Sequence, residues 1–149
     1  MPEHVFTVVA LGHSIDAQNN NVTLFCVLEQ IGAVSFPVRI PAFSLVTLWR
    51  CRADETGGTF TQRTRLVDPD GKERVSSELS FAVDRPRQRV VNVFGNVPFE
   101  KAGTYRFEVY IRPDDAPDWG TPAASYPLEV IVADRPQGES MLLSEQTGV

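Results

Sequence analysis

The stretch Lys101–Ile111 constrains this chain most. After Gly103, the residues Tyr105, Phe107, Val109 and Ile111 recur at every second position, with Thr104, Arg106 and Glu108 between them. A period of two marks a strand with one face buried and one face wet. The same alternation returns in Val75, Ser77, Leu79, Phe81 and Val83, and in Tyr126, Leu128, Val130 and Val132. Phe60, Thr64 and Leu66 alternate with Arg63 and Arg65. Three further segments, Val5–Leu11, Val22–Ile31 and Phe43–Trp49, are apolar on both faces and read as central strands, while the length of Val22–Ile31 also suits a helix.

Turn chemistry falls between these runs. Asn19-Asn20-Asn21 tolerates positive φ. Asp68-Pro69-Asp70-Gly71 carries Pro at the second position and Gly at the fourth, which predicts a type I turn inside a hairpin. Gly57-Gly58 and Gly103 mark other turns. Short strands, frequent turns and no convincing amphipathic helix predict an all-β fold, an antiparallel sandwich of about seven to nine strands. Residues 1–133 form the expected sandwich domain, with 113–124 as its longest loop. Residues 134–149 are polar, contain Pro136 and Gly138, and are expected to form a flexible tail.

A chain of 149 residues is long enough to bury its own core without disulfides. Its net charge of −5 argues against nonspecific nucleic-acid binding and against an anionic membrane surface. No run approaches a transmembrane span, and the amino-terminal segment lacks the basic start of a signal peptide. The expected location is the cytoplasm. There Cys26 and Cys51, both set in apolar segments, would be buried free thiols.

With the strands placed, two resemblances become visible. Gly103-Thr104-Tyr105 resembles the tyrosine corner of immunoglobulin-like sandwiches, although Phe107 stands where antibody domains carry cysteine and Lys101 where an aspartate is usual. Trp49 is a candidate core tryptophan, and Cys51 shares its strand and face, which excludes a bridge between the strands that antibody domains link. Asn21-Val22-Thr23-Leu24, Ile31, Ser35-Phe36-Pro37, Arg65–Gly71 and Phe99–Ile111 resemble a family of short bacterial proteins of unknown function. The resemblance runs from about Val5 to Val132. It implies an immunoglobulin-like sandwich and supplies no functional residue.

Chemistry-bearing residues are sparse. Gly12-His13-Ser14-Ile15-Asp16 holds three triad residue types, but strand neighbours point to opposite faces and the segment is no nucleophile elbow. Asp114, Asp115 and Asp118 lack the spacing of a calcium loop, and the cysteines and histidines lack zinc spacing. The reading is therefore a non-catalytic module with no cofactor, serving protein interaction or a structural role through a protein partner or self-association. The alternative is a binding module for a polyanion, calcium or a small molecule; an enzyme ranks a distant third. Candidate partner contacts are Trp119, in a proline-stiffened loop, and Met141, Leu142 and Leu143 in the tail. Arg63, Arg65, Arg87 and Arg89 are the candidate basic face; Arg85 alternates with Arg87 and Arg89, Arg50 and Arg52 lie on another strand, and a basic stripe requires these strands to be neighbours.

Overall fold

The computed structural model describes residues 1–133. Nine strands follow in chain order: β1 (Glu3–Ile15), β2 (Val22–Val27), β3 (Gln30–Ala33), β4 (Val38–Arg50), β5 (Thr59–Val67), β6 (Glu73–Ala82), β7 (Arg87–Phe99), β8 (Gly103–Pro113) and β9 (Ala124–Val132). They form two sheets, β2-β1-β4-β7 (sheet A) and β3-β9-β8-β5-β6 (sheet B). Every neighbouring pair is antiparallel except β3 with β9, which is parallel. This is the expected immunoglobulin-like all-β sandwich, with nine strands.

Alternation puts the core where the period of two predicts. Phe43, Leu45 and Trp49 of sheet A meet Phe60, Leu66, Phe107, Val109 and Leu128 of sheet B in one buried cluster. A line of polar side chains crosses the same interior. Trp49 Nε1 donates to Gln62 Oε1 at 2.8 Å, Gln62 Nε2 donates to Thr64 Oγ1 at 3.1 Å, and Asn92 Nδ2 donates to the same hydroxyl at 2.9 Å. Trp49 and Asn92 belong to sheet A and Gln62 and Thr64 to sheet B, so these bonds set one sheet against the other. A buried polar group is costly unless paired, which makes the pairing specific as well as stabilising.

The Asp68–Gly71 turn joins β5 to β6 as expected. The buried Asp68 carboxylate accepts from the Asp70 and Lys72 N–H groups at 2.9 Å each and from Arg74 Nε at 3.0 Å. The Lys72 bond is the main cause that holds its pKa below the usual carboxylate range. Gly71 sits at φ 85°, the left-handed region that favours glycine.

One expected element divides. Val22–Ile31 is not a single central strand: β2 is an edge of sheet A, and β3 is an edge of sheet B. Cys26, at φ 55°, kinks β2 without ending it: Val27 pairs Ala10 beyond it and the Leu28 N–H donates to the Val9 carbonyl at 2.8 Å. The chain leaves sheet A after Leu28 and joins sheet B at Gln30.

The corner at Tyr105 is present. Its ring is buried edge-on against Phe99, with centroids 5.0 Å apart. Its hydroxyl donates to the Lys101 carbonyl at 2.9 Å, and Lys101 N donates back to it at 3.3 Å. The backbone at Lys101 supplies both contacts, so the unusual residue type there does not disturb the corner. Tyr105→Phe is expected to cost about 1 kcal/mol, since it removes the hydroxyl bonds and keeps the ring. Tyr105→Ala is expected to cost about 3–5 kcal/mol through the cavity it leaves. Urea unfolding of the three proteins measures both; equal midpoints would contradict the corner's structural role.

Candidate functional site

In a two-layer sandwich the outer face of each sheet meets solvent, and here the two outer faces differ in chemistry. Sheet B carries charges in pairs. Arg63 bonds Glu73 at 2.9 Å and Arg65 bonds Glu108 at 2.7 Å. Sheet A carries apolar residues instead. Val46 and Ala10 point away from the core, as alternation with Leu45 and Val9 requires, yet both are fully buried.

The β1–β2 hairpin explains that burial. In the strand order β2 and β7 are the two opposite edges of sheet A. Even so, Arg89 of β7 donates from Nη1 to the Asn20 carbonyl at 2.8 Å and from Nη2 to Asn20 Oδ1 at 3.1 Å. Asn20 lies at the tip of the hairpin. The tip therefore reaches across β1 and β4 to the far edge, and the distal half of the hairpin lies over the sheet's outer face. The bend coincides with the left-handed Cys26, where the pairing skips from Ala10–Val27 to Gly12–Phe25. A second tie lies nearer the bend: His13 Nδ1 is 2.8 Å from Ser44 Oγ on β4. At the tip, Asp16 Oδ1 accepts from the Gln18 and Asn19 N–H groups, and Asn20 takes φ 60°.

Between hairpin and sheet runs a groove of about 840 Å3. Phe6, Val8 and Leu48 of the sheet and Val22 and Leu24 of the hairpin give it an apolar lining. One wall is Asn19-Asn20-Asn21. The rim is Asp84, Arg85, Arg87, Gln88 and Arg89. Asp84 accepts from Gln88 Nε2 at 2.7 Å and from Arg85 Nε at 3.3 Å, and these bonds, the Gln88 one foremost, keep its pKa below the usual carboxylate range. The Arg87 side chain has no hydrogen-bond or ion-pair partner among the described residues, while its backbone sits in the ladder opposite Arg50. The rim is thus net positive on a chain of net charge −5.

The residues singled out from sequence are scattered. Arg87 and Arg89 belong to the groove, whereas Arg63 and Arg65 are paired on the opposite outer face. The four do not make one basic face, because β5 and β7 lie in different sheets. Trp119 folds back and is half-buried: the Arg112 guanidinium lies 4.1 Å above its ring, and Arg112 Nη1 donates to the Pro117 carbonyl at 3.0 Å. A stacked, half-covered tryptophan offers less anchor than a free one. His13 bonds Ser44 and Asp16 shapes the turn, so the Gly12–Asp16 segment assembles no triad. Among the described residues no three His, Cys, Asp or Glu side chains gather for a metal. Met141, Leu142 and Leu143 lie outside the described residues.

A model of a family of unknown function, DUF6941, matches residues 8–131, which is most of the sandwich. The chain belongs to this family. No curated protein is similar to it in sequence. Among solved structures, it is similar to part of a glycosyl hydrolase family 2 member from Bacteroides cellulosilyticus, at 11% identity and TM-score 0.47 over 64% of this chain but only 13% of that one. The CARDB domain of a Pyrococcus furiosus protein, in complex with di-metal ions, matches at 8% identity and TM-score 0.45, over 89% of this chain and 96% of that one. An immunoglobulin-like protein from Pseudomonas aeruginosa matches at 12% identity and TM-score 0.36, over 87% and 96%. The DUF6941 match covers the hairpin from Val8 onward, together with the whole groove except Phe6.

Sequence reasoning missed the groove because its residues come from four strands and two connections, the β1–β2 turn and the β6–β7 loop. The signal that pointed to it was the doubly apolar Phe43–Trp49, which needs cover on both faces. The cysteines also differ from expectation. Cys51 is buried and free, and burial foremost, then the Glu55 carboxylate, raises its pKa. Cys26 is free but exposed, since its left-handed conformation turns the strand at the sheet edge. Native-state labelling with a thiol reagent should therefore modify one cysteine rapidly, Cys26, and reach the second only in denaturant. Two slow thiols, or two fast ones, would contradict this placement.

Proposed function

We propose that this chain is a non-catalytic interaction module that binds a protein partner through the outer face of sheet A. The observation that carries this reading is the contrast between the two outer faces. Large exposed apolar side chains gather on the strands of sheet A: Val5, Leu11, Ile15, Phe25, Val27 and Val93. Sheet B contributes Leu79, Ile131 and Val132, beside a surface of paired charges. Exposed apolar surface bordered by polar groups is typical of interaction sites. The free thiols support a reducing compartment, hence the cytoplasm. A binding module for a smaller ligand is the second reading, and the groove favours it.

A photo-crosslinking amino acid placed at Phe25 or Val93, in the cells that make the protein, should capture a discrete partner. The same residue at Glu78, exposed on sheet B, should not. Phe25→Glu with Val93→Glu should leave the melting temperature within a few degrees, because both side chains are exposed, and should abolish capture by a crosslinker at Val27. Equal capture from the two faces would contradict the proposal. Capture of the chain by itself would identify the partner as a second copy.

A further inference from the structure

We propose that the groove between the β1–β2 hairpin and sheet A receives an extended peptide segment of the partner, one that carries acidic side chains beside apolar ones. This rests on the reading of sheet A as the binding face and names what that face recognises. Three observations carry it.

The first is charge. Arg85, Arg87 and Arg89 line the rim with a single acid, Asp84, which Gln88 and Arg85 already occupy. Arg87 is left with its full set of donors, a planar fork that matches a carboxylate. On a chain of net charge −5, a local positive rim selects an acidic segment against the general repulsion.

The second is the lining. Phe6, Val8, Val22, Leu24 and Leu48 are all half-buried, so each keeps apolar surface for a ligand to cover. The third is the wall. The side-chain amide N–H groups of Asn19 and Asn21 carry no partner among the described residues, while the Asn21 N–H is spent on Asn19 Oδ1. Unpaired amides beside an apolar floor suit a peptide backbone, which needs donors and acceptors along its length. A simple aliphatic acid would use the floor and the arginines and leave the amides idle.

The latch between Arg89 and Asn20 gives the groove a way to respond. A charge-assisted bond to a carboxylate is stronger than a bond from guanidinium to neutral amide oxygens. An acidic side chain entering the groove therefore competes with Asn20 for Arg89 and loosens the hairpin tip.

The test is a library of short random peptides displayed on phage and selected on the full-length chain. The expected result is enrichment of sequences that combine Asp or Glu with Leu, Ile, Val or Phe. Synthetic versions should lose about tenfold or more in affinity on Arg87→Glu and weaken as salt rises. The Arg87 side chain is exposed and has no partner among the described residues, so that variant should fold normally, and a thermal melt confirms it. No enrichment, or enrichment of basic or uncharged sequences, would overturn the proposal. So would acidic peptides indifferent to Arg87→Glu. Peptides lost on Phe25→Glu with Val93→Glu but kept on Arg87→Glu would leave sheet A as the binding face and remove the groove. Sodium decanoate binding more tightly than every selected peptide would make the groove a small-molecule site instead.

Discussion

A strand that is apolar on both sides cannot sit in a two-layer sandwich without a third layer. β4 is such a strand. Phe43, Leu45 and Trp49 fill the core, and on the other side Val46 and Leu48 need cover as well. Leaving them bare would expose contiguous apolar surface in the middle of a sheet. The chain supplies the cover locally, by folding the distal half of its own first hairpin over the sheet. The left-handed Cys26, the skipped pairing beside it and the Arg89–Asn20 tie all serve that one requirement. The cover is incomplete toward the Arg50 end of β4, and the groove is the part it leaves open.

The rest of the sandwich holds still so that this arrangement can form. The Trp49–Gln62–Thr64–Asn92 line fixes the two sheets against each other in the interior. Tyr105 closes the opposite end through the Lys101 backbone. On sheet B the ion pairs Arg63–Glu73 and Arg65–Glu108 are partly exposed, and such pairs contribute little to stability. They keep that face wet, whereas Phe25, Val27 and Val93 leave exposed apolar surface on sheet A.

Much of this fold was legible in the sequence, because a period of two is a direct consequence of the pleat. The strands over Thr59–Val67, Gly103–Pro113 and Ala124–Val132, the Asp68–Gly71 turn and the Tyr105 corner all follow from local pattern. Val22–Ile31 reads as one strand because apolar side chains run through it; that the chain leaves sheet A after Leu28 and enters sheet B at Gln30 follows only from the pairing of its two halves. The groove was illegible for a different reason. Phe6, Leu24, Leu48 and Arg87 are far apart in sequence; strand pairing sets Phe6 beside Leu48 and Leu48 beside β7, and the fold-over of the hairpin adds Leu24. Arg87 and Arg89 were visible as basic residues; that they face apolar ground, away from Arg63 and Arg65, follows only from the sheet order.

The fold-over is the claim on which the groove and its proposed ligand depend, and it is directly measurable. Spin labels at Asn19→Cys and Arg85→Cys, in a Cys26→Ser background, report the distance between hairpin tip and rim by pulsed electron spin resonance. With the tip laid on the sheet, the labels should sit within about 20 Å of each other, and a hairpin that continued straight along β1 would lengthen that by roughly another 20 Å, the extended length of its distal half. A single short distance, lengthened by Arg89→Ala, is the predicted result. A long distance in the otherwise unaltered chain would mean that sheet A has no third layer and that the groove does not exist.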